Sequence, residues 1–270
     1  MTDGYYRTRF PLEFLRTKWF PVMTGAPGAE SGLVFRTQTV IRYGDDIPMK
    51  ELDEEFVDLF LVGGDDQRRA LHCYSSIARP FAIDFDFANP ASSSPADLDA
   101  WWSAVRASVH AFEAHLGVIL RKRDIFGVFD DRHSAPPEPL WCWTGNRGIH
   151  LYLHPSLRWH RAPTPWRRRL LEEVMEVLTP EQRQWVDVSA SVAADSAKTL
   201  RVLFSPHVES ESESVCTPLG TWSEEVGKMD RHPLNLGAGL GFAMGSTDET
   251  EAKKMQGTVD RVERWLQTAK

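Results

Sequence analysis

The stretch Phe81-Ala82-Ile83-Asp84-Phe85-Asp86-Phe87 decides the fold of this chain. Hydrophobic and acidic residues alternate along it, and alternate residues of a β-strand project to the same face. Asp84 and Asp86 are therefore predicted to lie side by side, while the isoleucine and the phenylalanines around them face the core. We expect a strand with one buried face and one acidic face.

The paired carboxylates allow three interpretations. Two ionised carboxylates repel each other at short range, and a cation between them removes that repulsion. Mg²⁺ takes one or two carboxylates and completes its shell with water and substrate phosphates. The first interpretation is therefore a divalent-metal site. The second is an edge strand whose acidic face meets solvent, and the third is the Asp-x-Asp of metal-dependent glycosyltransferases, which holds a diphosphate through a metal.

A glycine-bounded turn forms the second informative segment, Thr144-Gly145-Asn146-Arg147-Gly148-Ile149-His150. Strands are predicted on both sides of it. The glycines allow the backbone to approach a phosphate closely, Thr144 offers a hydroxyl, and the forked guanidinium of Arg147 suits phosphate oxygens. His150 falls on the polar side of the second strand. This set favours triphosphate binding over a plain hairpin with a core histidine.

The third segment runs from Asp187 to His207. Asp187 follows a hydrophobic pair and is predicted to begin a strand, where it supplies a third carboxylate. Asp195 is a second candidate for that position. Hydrophobic and polar residues alternate further along, which predicts that Arg201 and Ser205 share a face of one strand. A proline then turns the chain and brings His207 near that polar row.

Helical spacing is clearest over residues 95–120. The residues expected to form its buried stripe are Leu98, Trp101, Val105, Val109, Phe112 and Leu116. Further helices are predicted at 164–178 and near the C-terminus, around Val259, Val262 and Trp265. The mixture of strands and intervening helices predicts an α+β or α/β fold rather than a helix bundle or a β-sandwich.

Composition narrows the class of protein. The chain has 270 residues, of which 42% are hydrophobic, enough for one large domain or two intimate lobes. Its net charge of -7 means that nucleic acid would bind only at a local basic groove or through a partner. Three cysteines are far apart in sequence, which argues against a disulfide framework and suits a reducing intracellular compartment. We find no apolar run typical of a membrane span or signal peptide and expect no membrane association.

In these segments the chain resembles the archaeo-eukaryotic primase superfamily, and most of all the catalytic small subunit of DNA primase. That family carries a hydrophobic strand with Asp-x-Asp, a Ser-Gly-x-Arg-Gly-x-His turn and strand, and an aspartate followed by a Leu-(Arg/Lys)-x-Pro-x-Ser-x-His stretch. Its Tyr-Tyr…Phe-Pro opening is similar to Tyr5-Tyr6-Arg7-Thr8-Arg9-Phe10-Pro11, and its Ile-Arg-Tyr strand to Val40-Ile41-Arg42-Tyr43. The likeness covers residues 5–207.

The resemblance implies a fold and a set of roles. The fold would be an αβ unit and a second unit with an RNA-recognition-type sheet, closing over a cleft; residues 1–232 would form the catalytic domain and 233–270 a helical extension packed on it. Asp84, Asp86 and Asp187 would coordinate two Mg²⁺ or Mn²⁺ ions. The residues implied to hold the nucleotide are Thr144, Gly145, Arg147, His150, Arg201, Ser205 and His207, with Arg42 as a further candidate.

The implied activity is synthesis of short RNA primers on a single-stranded DNA template from nucleoside triphosphates. Implied partners are the primase large subunit or another replisome protein, in the nucleus of a eukaryote or otherwise in the cytoplasm or at a viral replication site. Three alternatives remain: a primase-polymerase that extends primers in repair or lesion bypass, a metal-dependent glycosyltransferase, and a catalytically silent replisome subunit.

Four departures from the family pattern stand out. Thr144 replaces serine and keeps the hydroxyl, and Asn146 stands where eukaryotic members often have arginine. The gap from Asp187 to Arg201 is longer than usual. Residues 88–141 contain none of the family's zinc-binding cysteines, so we predict no structural zinc.

Overall fold

The computed structural model describes residues 9–19, 33–37, 69–74, 82–86, 94–122, 128, 136–145, 148–158, 162–183, 186–187, 199–205, 215–233 and 249–268. Its helices are α1 (Leu12–Phe14, continued by a π-helical turn at Leu15–Trp19), α2 (Pro95–Lys122), α3 (Thr164–Val177), α4 (Pro180–Arg183) and α5 (Glu249–Gln267), with a 3₁₀ turn at Val226–Lys228. Its strands are β1 (Leu33–Thr37), β2 (Arg69–Tyr74), β3 (Ala82–Asp86), β4 (Leu140–Trp143), β5 (Gly148–Tyr152), β6 (Val186–Asp187), β7 (Thr199–Arg201) and β8 (Thr217–Gly220).

Two antiparallel sheets organise these strands. The larger has the order β6-β3-β5-β4-β8, and the smaller has the order β1-β2-β7. The acidic strand β3 therefore lies inside the larger sheet, between β5 and β6, rather than at an edge. The expected α+β class is confirmed, and the edge-strand interpretation of the paired aspartates is wrong for the described strands.

Helices α2 and α3 cover one face of the larger sheet. Ile83 and Phe85 of β3 are fully buried in this core, as the alternation predicts. The rings of Phe85 and Phe112 meet edge to face with centroids 5.3 Å apart. Truncating such a buried phenylalanine to alanine costs about 3–5 kcal/mol, so this contact fixes strand β3 firmly against helix α2.

Local sequence sets the limits of helix α2. The Ser94 hydroxyl accepts a hydrogen bond from the Asp97 N–H at 3.2 Å, which pairs one of the free donors of the first turn. Pro95 has no N–H to leave unpaired. Arg121 and Lys122 lie in the last turn, where positive charge interacts favourably with the helix dipole.

The buried stripe of α2 differs from the prediction at two positions, Leu98 and Trp101, neither of which is fully buried. Trp102 is fully buried and its Nε1 donates to the Met229 carbonyl at 3.1 Å, whereas Trp101 is only half-buried. The segment around Met229 covers the helix from the side, and the spacing of residues within the helix carries no information about that cover.

The other face of the larger sheet packs against α1 and α5. Trp19 meets Tyr152 of β5 edge to face at 5.3 Å, and Trp265 of α5 is buried in the same core. Trp265 Nε1 donates to the Glu138 carbonyl at 2.8 Å. The helix of the predicted C-terminal extension thus packs on the same sheet as the acidic strand. Asp84 and Asp86 alternate with the buried residues of β3 and lie on this second face of the sheet.

Candidate active site

One row of residues crosses the larger sheet at Asp84. In the strand register, Asp84 lies opposite His150 of β5 on one side and opposite Asp187 of β6 on the other. Directly opposed residues of antiparallel strands project to the same face with Cβ atoms roughly 4.5–5.5 Å apart. The sheet therefore brings together an aspartate, a histidine and a second aspartate that are far apart in sequence. The side chain of Asp187 itself lies outside what the structure describes.

Asp84 and His150 are in contact. His150 Nε2 lies 3.5 Å from Asp84 Oδ1, with 8% of the histidine side chain and 32% of the aspartate side chain exposed. The carboxylate therefore reaches solvent while the imidazole is almost enclosed. His150 Nδ1 is buried and has no hydrogen-bond partner of ordinary geometry among the described residues.

Asp86 is exposed one step along the same face, opposite Gly148. A Cβ atom on Gly148 would lie 2.9 Å from Thr144 Oγ1 and 3.1 Å from the Phe85 carbonyl oxygen. Glycine is therefore required for β5 to lie this close to β3. Its missing side chain leaves bare backbone beside Asp86.

The turn after β4 is closed by Thr144. Its N–H donates to the Gly148 carbonyl at 2.9 Å, and its hydroxyl accepts from the Gly148 N–H at 3.1 Å. Gly145 has φ 98°, a backbone conformation that favours glycine. The Thr144 hydroxyl oxygen thus accepts a hydrogen bond within the turn, while the hydroxyl hydrogen can be donated to a ligand. Asn146 and Arg147 lie outside the described residues.

Arg201 ties the third segment to the second. Its guanidinium Nη1 donates to the Thr144 carbonyl, and its own carbonyl accepts a hydrogen bond from the Tyr152 hydroxyl at 3.3 Å. Arg201 ends strand β7 and is half-buried. Hydrogen bonds at both the backbone and the side chain of Arg201 therefore hold its guanidinium beside the glycine turn, as the sequence predicts.

The prediction of a strand running to Ser205 is wrong. Strand β7 ends at Arg201, and Val202 and Phe204 are both fully buried with the residue between them, which rules out alternation. Phe204 has φ 64°, and its N–H donates to the Cys216 carbonyl at 2.7 Å. Ser205 is buried completely and does not share a strand face with Arg201.

Backbone strain accompanies this turn. A left-handed conformation is unfavourable for a bulky aromatic residue, and Phe204 keeps it because its ring packs in the core against Phe14, with centroids 6.3 Å apart. Strained backbone is concentrated at functional sites. The two other predicted ligands of this pocket, His207 and Arg42, lie outside the described residues, as does the alternative carboxylate Asp195.

Two thiols adjoin His150, and sequence reasoning missed them as a pair. Cys142 lies opposite His150 in the register of β4 and β5. Its sulfur is 3.3 Å from that of Cys216, and both residues are completely buried and unoxidised. Cys142 alternates with tryptophans along a predicted strand, so its face could have been inferred. No strand was predicted near Cys216, so its position could not.

The donor set fits a hard divalent cation. Carboxylate oxygens are the ligands that Mg²⁺ and Mn²⁺ prefer, and Asp84 and Asp187 occupy opposed positions where like charges destabilise the sheet. Among the side chains that the structure describes, no three His, Cys, Asp or Glu groups lie close enough together to hold a metal ion. The proposed third carboxylate, Asp187, is not among those side chains.

A cavity on the opposite face of the sheet is separate from these residues. It has a volume of about 280 Å³ and lies between α2 and residues 136–139. Glu113, at its wall, accepts a hydrogen bond from Trp141 Nε1 at 2.9 Å. Burial raises the pKa of the Glu113 carboxyl despite hydrogen bonds from His110 and Trp141. Because the protein already pairs this carboxyl, the cavity adds nothing to the predicted site.

Within the described residues, no helix combines the length and the apolar character needed to cross a bilayer. No family model matches the chain, and no curated protein matches it. Any functional conclusion therefore rests on the residues and geometry given above.

Proposed function

We propose that this chain is the catalytic subunit of a DNA primase, which makes short RNA primers on single-stranded DNA by nucleotidyl transfer. The observation that supports this best is the meeting of the three predicted segments: Asp84 contacts His150, Asp84 pairs in register with Asp187, and Arg201 binds the Thr144 carbonyl. The carboxylates proposed for metal ions lie on the larger sheet, and Arg201, which ends a strand of the smaller sheet, meets the glycine turn of the larger one.

Asp84, Asp86 and Asp187 are proposed to hold two Mg²⁺ or Mn²⁺ ions. Asp84 and Asp86 are both open to solvent on this face, so their oxygens are accessible to a cation. When bound, such ions would activate the attacking 3′-hydroxyl and stabilise the pyrophosphate that leaves. The contact with His150 orients the Asp84 carboxylate, because a histidine beside a ligating carboxylate restricts its rotation.

The triphosphate is proposed to lie along the glycine turn. Arg201 is already oriented by its bond to the turn, so little side-chain entropy is lost when it binds a phosphate. Thr144 can donate its hydroxyl hydrogen, and the backbone at Gly145 and Gly148 leaves room for close approach. Arg147, Ser205, His207 and Arg42 are proposed for the same pocket on the family resemblance alone.

In this proposal the two antiparallel sheets belong to the two units of a primase-type fold. Strand β7 pairs with β2 in the smaller sheet and ends at Arg201. The smaller sheet therefore positions the Arg201 guanidinium beside the acidic face of the larger sheet. A large subunit or another replisome protein is the proposed partner, since the net charge of -7 is unfavourable for binding DNA alone.

Primer synthesis on unprimed single-stranded DNA tests the proposal. With Mn²⁺ or Mg²⁺ and labelled ribonucleotides, the protein is expected to make short RNA, and the Asp84→Ala/Asp86→Ala double variant to make none. Asp230→Ala is the matched control, because that side chain is 92% exposed and lies outside the proposed site. Full activity of a folded double variant would overturn the assignment of the two carboxylates.

Other ligands in the same experiments separate the alternatives. Extension of an annealed primer without synthesis on unprimed DNA would indicate a primase-polymerase of repair or lesion bypass. Calorimetric binding of a nucleoside diphosphate sugar, in place of nucleoside triphosphates, would indicate a glycosyltransferase. Absence of any metal-dependent nucleotide binding would indicate a catalytically silent subunit.

A further inference from the structure

The buried thiols of Cys142 and Cys216 are positioned to react with each other. Cys142 lies on β4 opposite Pro218 of β8, and Cys216 directly precedes β8. Their sulfur atoms are 3.3 Å apart. A disulfide needs about 2.05 Å, so a small movement of two side chains closes the bond.

The two thiols differ in reactivity. Burial raises the pKa of the Cys142 thiol, and the hydrogen bond with Cys216 raises it further. For Cys216, burial alone would raise the pKa, but the neighbouring Cys142 thiol, the His150 imidazole and the Arg201 guanidinium outweigh burial and lower it. The thiolate is the form that attacks an oxidant. Cys216 is therefore assigned the role of the attacking sulfur.

Both thiols adjoin the histidine of the proposed active site. Cys142 is the cross-strand neighbour of His150, and the sulfur of Cys216 lies 3.3 Å from that of Cys142. The position of the imidazole beside Asp84 thus depends on the side chains behind it. A covalent bond between the two sulfurs would move the side chain of Cys142, which is the cross-strand neighbour of His150.

We propose that Cys142 and Cys216 form a site of reversible oxidation, in which a small peroxide converts their two thiols into one disulfide and thereby displaces His150. With hydrogen peroxide as the oxidant, the sulfur of Cys216 attacks one peroxide oxygen and the O–O bond breaks. The second oxygen takes up a proton and leaves as water, and Cys216 becomes a sulfenic acid. The sulfur of Cys142 then attacks that of Cys216, the S–O bond breaks, and a second water leaves. Two electrons pass from the thiols to the peroxide, and thiol exchange reverses the reaction.

Mass spectrometry of the peroxide-treated protein tests disulfide formation independently of any activity. A peptide joining Cys142 to Cys216, lighter by two hydrogen atoms than the reduced pair and lost on treatment with dithiothreitol, is expected. The Cys142→Ser variant should not form it, and Cys73→Ser, the matched control, should form it like the parent. If peroxide oxidises only Cys73, the proposal is wrong.

Two readouts test the effect on the site. Nitrogen NMR of the His150 ring, assigned with His150→Gln, should change on oxidation of the parent and of Cys73→Ser, and stay unchanged in Cys142→Ser. Metal-dependent binding of a nucleoside triphosphate should weaken by roughly two- to tenfold in parallel, the loss expected for one hydrogen bond. The second readout rests on the proposed function, whereas the first does not.

These readouts keep the two proposals distinct. A disulfide that leaves both the ring signals and the nucleotide affinity unchanged would overturn the coupling to His150. If the reduced protein binds no nucleotide, the proposed function fails and the ring signals alone decide the oxidation proposal.

Discussion

Replacing Gly148 with alanine is expected to destabilise the protein and to disturb the acidic face at once. The added Cβ atom would lie 2.9 Å from Thr144 Oγ1, which a side-chain rotation can relieve, and 3.1 Å from the Phe85 carbonyl, which is strand backbone. Relief of the second contact requires β3 to move away from β5. Forcing extra volume into a packed site costs about 1–3 kcal/mol, so the free energy of unfolding should fall by that amount.

Thermal unfolding followed by tryptophan fluorescence measures this effect, since the chain contains 10 tryptophans. Each kcal/mol shifts Tm by roughly 2–4 °C in domains of 150–250 residues, and a chain of 270 residues is expected near the lower end of that range. Because β3 carries Asp84 and Asp86, nucleotide binding should weaken in the same variant.

Two helical glycines provide controls of the opposite sign. A Cβ on Gly117 of α2 or Gly257 of α5 would meet no atom within 4 Å, and alanine in a helix is more stable than glycine by about 0.5–1 kcal/mol. Both alanine variants should therefore unfold at a higher temperature than the parent. A Gly148→Ala protein as stable as these controls would refute the close packing of β5 on β3.

Three further predictions follow from the same geometry. Asp84→Asn should abolish primer synthesis without destabilising the protein. Because it removes a like charge opposite Asp187, the free energy of unfolding, measured in urea at low salt, should stay unchanged or rise by up to about 1 kcal/mol. A large loss of stability would contradict this prediction. Arg201→Gln should lower the free energy of unfolding by about 1–2 kcal/mol, because the hydrogen bond to the Thr144 carbonyl is lost. The same variant should bind a nucleoside triphosphate more weakly in a calorimetric titration, and the affinity of Arg201→Lys should fall between those of the parent and of Arg201→Gln. Burial lowers the pKa of His232 from 6.5 to about 4, so the histidine is neutral in the folded protein at a pH where it is protonated in the unfolded chain. Up to about 3 kcal/mol of the free energy of unfolding should therefore be lost as the pH falls from 6.5 towards 4. His232→Phe should reduce this pH dependence, and a pH profile identical to that of the parent would contradict the lowered pKa.

Features with a local physical cause could be predicted from the sequence. Helix α2 follows from residue spacing and a serine-proline start, and strand β3 follows from strict alternation. The β4–β5 hairpin follows from the glycine turn. Once these elements pair in register, the contact between Asp84 and His150 results, because both occupy the polar face of their strands.

Features that depend on tertiary contacts could not be predicted. The left-handed backbone of Phe204 has no sequence signature, since a bulky aromatic residue avoids that conformation, and core packing together with the bond to Cys216 imposes it. Strand β7 therefore ends at Arg201, four residues before the predicted end at Ser205. Cys142 and Cys216 are far apart in sequence and meet only because β4 pairs with β8. Trp102 is buried in place of Trp101 because another segment covers it.

The most direct measurement is anomalous X-ray scattering from manganese in crystals soaked with MnCl₂ and a non-hydrolysable nucleoside triphosphate. The account predicts manganese peaks at the carboxylate oxygens of Asp84, Asp86 and Asp187, with the triphosphate against Arg201 and the turn at Gly145. Manganese bound elsewhere, or a triphosphate ordered away from this face of the sheet, would contradict it.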